Sequence, residues 1–144
     1  MATMVHGTCI EYGGVGVLLM GPSGSGKSDL ALRLIDQGAV LVADDQVSVE
    51  CASGRLIAHA PTKLLGILEV RGIGLVNFPV APPTPVSAAI ELVRDGNIER
   101  LPDAQFWECL GIRVPRYQVD PFTASACAKV RLVARGVRHA SQTS

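Results

Sequence analysis

An eight-residue run early in the chain has the composition and spacing of a phosphate-binding loop. It reads Gly21-Pro-Ser-Gly-Ser-Gly-Lys-Ser28 and matches the pattern G-x-x-x-x-G-K-[ST] at every fixed position. Glycines permit a backbone turn in which successive N–H groups point at phosphate oxygens. In this pattern the lysine reaches the β- and γ-phosphates and the following hydroxyl ligates Mg²⁺. The sequence therefore predicts a nucleotide site, with Ser28 as a metal ligand, formed by Gly21, Pro22, Ser23, Gly24, Ser25, Gly26, Lys27 and Ser28.

Two acidic or mixed-charge pairs could complete such a site. Asp44 and Asp45 end an apolar run, where a carboxylate can hold Mg²⁺ or accept a proton from an attacking hydroxyl, or can simply belong to a solvated turn or helix cap. Alternation along a strand makes the two side chains point differently, which predicts separate roles. Glu69 and Arg71 share a face if their segment is extended, either as a surface ion pair or as a metal ligand and a phosphate clamp.

The elements around the loop predict an α/β fold. Val15–Met20 is apolar throughout and predicts a buried strand, and an amphipathic helix follows the loop. Gly38 occupies the position of a left-handed C-terminal cap, and residues 39–43 predict a second apolar strand. Strand, helix and strand in this order predict a βαβ unit of a covered parallel sheet, with ligands at the carboxyl ends of its strands.

The remaining chain predicts one domain over residues 1–140, followed by a disordered tail at 141–144. Residues 55–60 and 65–76 are expected to be extended, and the proline-rich residues 78–85 a loop. Helices are expected over residues 85–94, with Pro85 first, over 103–110, burying Phe106 or Trp107, and over 124–135. Residues 113–119 alternate like an edge strand.

Composition narrows the class of protein. Hydrophobic residues make up 48% of the 144 residues and charged residues 18%, which is typical of a folded globular chain. Lys plus Arg and Asp plus Glu number 13 each, so no net charge indicates nucleic acid or an anionic membrane. The four cysteines lack the paired spacing of a zinc site, which predicts reduced thiols. With no secretory signal, these features predict a cytoplasmic protein.

Three segments together resemble a known family. They are residues 16–35, which include the glycine-rich loop, the Leu-Val-Ala-Asp-Asp run at 41–45, and Leu-Glu-Val-Arg-Gly-Ile-Gly-Leu-Val-Asn at 68–77. In order and spacing they resemble the catalytic domain of HPr kinase/phosphorylase, in a short single-domain form. The resemblance implies a P-loop core of the HPr kinase and PEP carboxykinase type, with a mixed sheet. It also implies an ATP- and Mg²⁺-dependent serine kinase acting on HPr or a related phosphocarrier of the phosphotransferase system, and a homo-oligomer, specifically a hexamer.

Individual roles follow from the same resemblance. His6 matches the active-site histidine of the family, and Lys27 matches its phosphate-contacting lysine. Asp45 matches the acid that takes the proton from the serine hydroxyl. Glu69, with Ser28, matches the metal ligands. Arg100 resembles a later catalytic arginine of the family.

The chain also departs from the family. Near the C-terminus the family has a Pro-Gly-Arg-Asn element linked to dephosphorylation, whereas residues 118–124 read Gln-Val-Asp-Pro-Phe-Thr-Ala. The resemblance therefore implies kinase activity and does not extend to phosphorylase activity. Two alternatives use the same phosphate loop: a non-catalytic ATP-binding sensor, and a small-molecule kinase or nucleotide hydrolase.

Overall fold

The computed structural model describes residues 1–140; the predicted disordered tail at 141–144 lies outside the described residues. The elements follow in chain order: β1 (Ala2–His6), β2 (Thr8–Tyr12), β3 (Val15–Met20), α1 (Lys27–Asp36), β4 (Val40–Ala43), β5 (Gln46–Ala52), β6 (Arg55–His59), β7 (Ile67–Val70), β8 (Gly74–Asn77), β9 (Thr84–Leu92), β10 (Gln105–Cys109), β11 (Ile112–Val119) and α2 (Ala126–Ala134). Single 3₁₀ turns lie at Thr62–Leu64 and Asp95–Asn97. Within residues 1–140, neither helix is long and apolar enough to cross a bilayer.

Within residues 1–140, nine strands form one curled mixed sheet, which confirms the mixed sheet expected from the family resemblance. The main path runs β1-β5-β6-β9-β3-β2-β4, while β11 pairs with β9 and β10 with β11. β9 pairs in parallel with both β3 and β11. β2 lies between β3 and β4 and is antiparallel to both. The predicted βαβ unit is therefore wrong in one respect: its two strands run in the same direction but are not neighbours in a parallel sheet.

The centre of the sheet is buried on both faces. Along β3, Val17 and Leu19 belong to a core cluster with α1 and α2, whereas Leu18 belongs to a second cluster with β5 and β6. Successive strand side chains point to opposite faces, so a strand covered on both sides must be apolar at every position. This explains why Val15–Met20 carries no polar side chain, and the predicted strand is confirmed.

The helix after the loop is also confirmed. Leu30, Ala31 and Leu34 are fully buried on one face of α1. Gly38, with φ 110°, follows the helix end, and its N–H donates to Ile35 O at 3.0 Å. The left-handed C-terminal cap expected there is therefore present. The extended run expected at 55–60 corresponds to β6, and the C-terminal helix to α2. The run expected at 65–76 forms the β7–β8 hairpin, in which residues 71–73 form the turn and are not extended.

The helix predicted over residues 85–94 is wrong, because residues 85–92 lie in β9. Pro85, expected as the first helical residue and as part of the preceding loop, pairs with Ile57 in the sheet. β9 is hydrogen-bonded on both sides, to β3 and to β6 and β11, and its long-range pairs override the local helical preference of Ala, Glu and Leu.

The helix predicted over residues 103–110 is wrong for a related reason. Residues 105–109 form β10, and Leu110 (φ 51°) and Gly111 (φ 79°) form a two-residue hairpin turn to β11. Positive φ at both central positions is the turn that suits the twist of a hairpin. The strand expected over 113–119 is confirmed as β11, but it is not an edge strand because β10 covers it. Trp107 is half-buried against the second core cluster, whereas Phe106 is not part of either cluster and is about half exposed.

Candidate functional site

The Gly21–Ser28 loop connects the end of β3 to the start of α1. Gly24 (φ 83°) and Gly26 (φ 99°) adopt left-handed backbone that L side chains rarely adopt. Gly26 is the N-cap of α1 and has no side chain, so the first N–H groups of the helix lack a side-chain cap. Uncapped N–H groups and the positive end of the helix dipole favour an anion at this position.

Lys27 folds back across this loop. Its ammonium Nζ donates hydrogen bonds to Gly21 O at 2.7 Å and to Pro22 O at 3.0 Å. Burial lowers the pKa of Lys27, and the nearby carboxylates of Asp44 and Asp45 oppose that shift. The structure therefore gives the loop a buried cation that two acidic residues help to keep charged.

Asp44 is buried and connects three elements. Its Oδ1 accepts hydrogen bonds from Ser28 Oγ at 2.9 Å and from Thr8 Oγ1 at 2.7 Å. Its Oδ2 lies 3.5 Å from the backbone N of Glu69, a long contact. The carboxylate is therefore directly beside the serine hydroxyl at the start of α1, where the end of β4 meets the Gly21–Ser28 loop.

Asp45 points away from Asp44 into solvent. Its backbone has φ 70°, and its Oδ1 lies 3.3 Å from Nε2 of His6, with both side chains more than half exposed. The sheet register explains the pair, since His6 in β1 is opposite Gln46 in β5, the residue after Asp45. The structure confirms that the two aspartates point differently, although a left-handed backbone at Asp45, rather than strand alternation, turns them apart.

The other predicted site residues are less closely connected. Glu69 reaches Asp44 through its backbone N–H, and its side chain is exposed. Arg71 lies in the turn between β7 and β8, so its segment is not extended and it does not share a strand face with Glu69. Arg100 lies in an exposed loop before β10. Within residues 1–140, no hydrogen bond or ion pair joins either arginine to the Lys27–Asp44 cluster.

Thr8 was missed by the sequence reasoning. It is fully buried, and its hydroxyl makes the shorter of the two hydrogen bonds to Asp44. Only the pairing of β2 with β4, where Cys9 is opposite Ala43, brings it to that carboxylate. A lone threonine in the run Val-His-Gly-Thr carries no local signal of this contact.

A metal at this site would need oxygen ligands of mixed origin. Among the described residues, no three His, Cys, Asp or Glu side chains converge as a metal site. The Ser28 hydroxyl and the Asp44 carboxylate are hard oxygen ligands at contact distance from each other. Mg²⁺ takes one or two protein oxygens and completes its shell with phosphate oxygens and water, so this donor set fits it.

Comparisons with known proteins agree on one family. Residues 1–135 match the family model described as HPr Serine kinase C-terminal domain. HPr kinase/phosphorylase of Malacoplasma penetrans is 39% identical over 127 residues, which cover 80% of this chain and 42% of the relative. The enzyme of the same name from Cupriavidus necator is 40% identical over 127 residues, covering 81% of this chain and 39% of the relative. The chain thus spans only about two fifths of the length of these relatives.

A solved structure has the same fold. The structure titled Hpr(Ser) kinase/phosphatase from Coxiella burnetii superposes with a TM-score of 0.82 at 26% sequence identity. The alignment covers 92% of this chain and 94% of that one. The curled mixed sheet described above is therefore shared over nearly the whole of both chains.

Proposed function

This chain belongs to the family of HPr serine kinase C-terminal domains, and on that premise we propose that it is an ATP-dependent protein kinase. In this proposal it transfers the γ-phosphoryl group of ATP to a serine hydroxyl of HPr or of an HPr-like phosphocarrier protein. The names of its relatives supply the reaction class. The acceptor and the phosphoryl donor are part of the proposal.

One observation carries the proposal. Two consecutive aspartates beside the loop have opposite surroundings: Asp44 is buried on Ser28 and Thr8, and Asp45 is exposed beside His6. A protein that only bound a nucleotide would need the first of these and not the second. An exposed carboxylate next to the phosphate end of a nucleotide site is what proton transfer from an incoming hydroxyl requires.

The loop would hold the phosphates of ATP. The uncapped N–H groups at the start of α1 and the Lys27 ammonium, which now donates to loop carbonyls, are the donors available to phosphate oxygens. Ser28 and Glu69 are the proposed metal ligands, and Asp44 is a third because its carboxylate already contacts Ser28 Oγ. Bound there, Mg²⁺ would neutralise charge on the β- and γ-phosphates.

Asp45 is the proposed general base. It would accept the proton of the serine hydroxyl as the new bond forms between the serine oxygen and the γ-phosphorus and the bond to the bridging oxygen of ADP breaks. His6, 3.3 Å from Asp45 Oδ1, would orient that carboxylate. Arg71 and Arg100 are proposed to stabilise the transferring group, which requires that substrate binding bring these exposed side chains to the loop. The family resemblance further predicts a hexamer, which light scattering of the purified chain would test.

The experiment is a transfer assay with γ-labelled ATP, Mg²⁺ and purified HPr or an HPr-like carrier. We expect label on a serine of the carrier with the wild-type chain and none with Lys27→Ala. A positioned base contributes about 10²–10⁴-fold to rate, so Asp45→Asn should bind ATP normally and transfer it more slowly by that factor. Glu50→Gln is the matched control, because Glu50 forms another exposed histidine–carboxylate pair, with His59 at 3.9 Å.

Each part of the proposal can fail separately. If Asp45→Asn transferred the phosphoryl group at the wild-type rate, Asp45 would not be the general base. Binding of Mg-ATP without label on any carrier would favour the sensor, and steady release of phosphate without an acceptor would favour the hydrolase.

A further inference from the structure

A cleft lies beside the Gly21–Ser28 loop. The proposed phosphoryl transfer does not use this cleft. Its volume is about 180 Å³, and it is lined on one side by Pro22, Gly24 and Ser25 of the loop and on the other by Arg94 and Phe122. Clefts that take whole drug-sized ligands measure roughly 300–1,000 Å³. The cleft is therefore of a size for one ring system rather than for a complete nucleotide.

The topology explains why these residues meet. β3, β9 and β11 are parallel neighbours, so their carboxyl ends lie at one edge of the sheet. The loop follows β3, Arg94 follows β9 and Phe122 follows β11. This edge of an α/β sheet is where ligands bind.

Phe122 is held in place while its ring stays accessible. Its backbone N–H donates to Asp120 Oδ1 at 2.9 Å, and the carbonyl of Pro121 accepts a hydrogen bond from Arg33. The ring reaches Gly26, where an added methyl carbon would lie 3.3 Å from Phe122 Cζ. Nevertheless 58% of Phe122 is exposed. An anchored aromatic ring that remains open to solvent beside a cleft is a surface on which a ligand can stack.

Arg94 adds a second planar group. Its guanidinium carbon lies 5.1 Å from the centroid of the Phe122 ring, within the range of a cation–π contact. A phenyl ring and a guanidinium together favour a flat, electron-rich heterocycle, because stacking and cation–π attraction both act on its face. A polyphosphate has no such face.

We propose that this cleft receives the base of the nucleotide whose phosphates lie in the Gly21–Ser28 loop, with the Phe122 ring stacked on the base and Arg94 beside it. The inference rests on the proposed nucleotide binding and extends it to a base subsite. It assigns a role to the stretch at residues 118–124, which departs from the family pattern and which the phosphoryl transfer leaves unused.

The test compares two ligands by calorimetry in the presence of Mg²⁺. ATP carries both phosphates and base, whereas inorganic tripolyphosphate carries only the phosphates. Phe122→Leu keeps an apolar side chain at this position but removes the aromatic face. It should weaken ATP binding by roughly 5- to 150-fold, the range of one stacked base, and leave tripolyphosphate binding unchanged. Phe122→Tyr should bind ATP like the wild type.

Phe106→Leu is the matched control. Phe106 is also exposed and carries an arginine, Arg113, 4.0 Å from its ring centroid, but it lies on β10 and does not line the cleft. It should change neither affinity. Arg94→Gln should weaken ATP binding by a larger factor than tripolyphosphate binding, which loses only the long-range attraction of the charge.

The outcomes separate the two proposals. Unchanged ATP affinity in Phe122→Leu overturns the base subsite while the proposed function stands. Equal losses for ATP and tripolyphosphate also overturn it, since Phe122 would then support the loop rather than contact a base. If the wild-type chain binds neither ligand, the proposed function fails and the subsite fails with it.

Discussion

Replacing Asp44 tests the hydrogen bonds that hold the site together before any ligand binds. Its Oδ1 accepts from Thr8 Oγ1 and Ser28 Oγ, and Asp44 and Thr8 are 7% and 0% exposed. Asp44→Ala removes the acceptor from both hydroxyls. Asp44→Asn removes the charge but keeps an oxygen that can accept from both. Comparison of the two variants therefore separates hydrogen bonding from charge.

The expected cost follows from the two donors. A buried donor that loses its partner costs about 1–3 kcal/mol, and the Thr8 hydroxyl has no access to water. The Ser28 hydroxyl is only partly buried and can be hydrated, so its loss adds about 1 kcal/mol or less. The contact of Glu69 N at 3.5 Å is too long to add to the sum. Asp44→Ala should thus destabilise the fold by about 1–4 kcal/mol, and Asp44→Asn by less than about 1 kcal/mol.

The measurement is urea unfolding followed by the fluorescence of Trp107, the only tryptophan in the chain, which packs against the second core cluster. The midpoint should fall with an unchanged m-value. Asp103→Ala, at an exposed loop position, should leave the midpoint unchanged. Equal losses of stability in Asp44→Ala and Asp44→Asn would show that the charge of Asp44, and not its hydrogen bonds, stabilises the fold. An unchanged alanine variant would refute both the geometry and the magnitude.

Three other predictions concern stability and thiol chemistry. Gly26→Ala should destabilise the fold in urea unfolding more than Gly24→Ala does. Both positions have positive φ, so alanine at either adds a strain of about 1–2 kcal/mol. Only at Gly26 would the added methyl carbon also lie 3.1 Å from Pro121 Cγ. A thiol reagent should label the exposed Cys51 in the native protein and reach Cys9 only after unfolding, since Cys9 is fully buried. Burial raises the pKa of Cys9 from 9.0 to about 12. Between these values the folded state keeps the thiol proton and the unfolded state loses it. The contribution of Cys9 to stability is therefore complete below about pH 9 and is lost as the pH rises from 9 towards 12. Over that pH range, the free energy of unfolding should fall less steeply with pH in Cys9→Ala than in the wild type.

The local sequence predicts those elements whose pattern of apolar residues is visible within the segment itself. β3 and α1 follow from an apolar run and from a helical stripe. For β9, Pro85 at the start, Ala, Glu and Leu inside and Gly96 beyond the end favour a helix. The alternation along residues 86–92 equally fits a strand, one face of which would carry Val86, Ile90 and Leu92. The strand exists because β3, β6 and β11 provide pairing partners from three distant parts of the chain.

The same division applies to the site. The spacing of Lys27 and Ser28 is a local pattern, and the position of Asp44 and Asp45 after an apolar run places them near the loop without knowledge of the sheet order. The pairing of His6 with Asp45 depends on the register of β1 against β5 and was accessible only through the family resemblance. The hydrogen bond of Thr8 depends on β2 lying between β3 and β4, an order that the predicted βαβ unit did not contain.

The backbone between β4 and β5 places the two adjacent aspartates, Asp44 and Asp45, in different surroundings. At Asp45 the chain adopts φ 70°, its carbonyl accepts from the N–H of Gly7 at 3.1 Å, and Gln46 N–H donates back to Asp44 O at 2.8 Å. This turn buries one carboxylate and exposes the next beside His6. Asn tolerates left-handed backbone as Asp does, whereas Ala would add a strain of about 1–2 kcal/mol. A loss of transfer in Asp45→Asn therefore reports the missing charge and not a displaced turn, which is why asparagine, rather than alanine, tests the base.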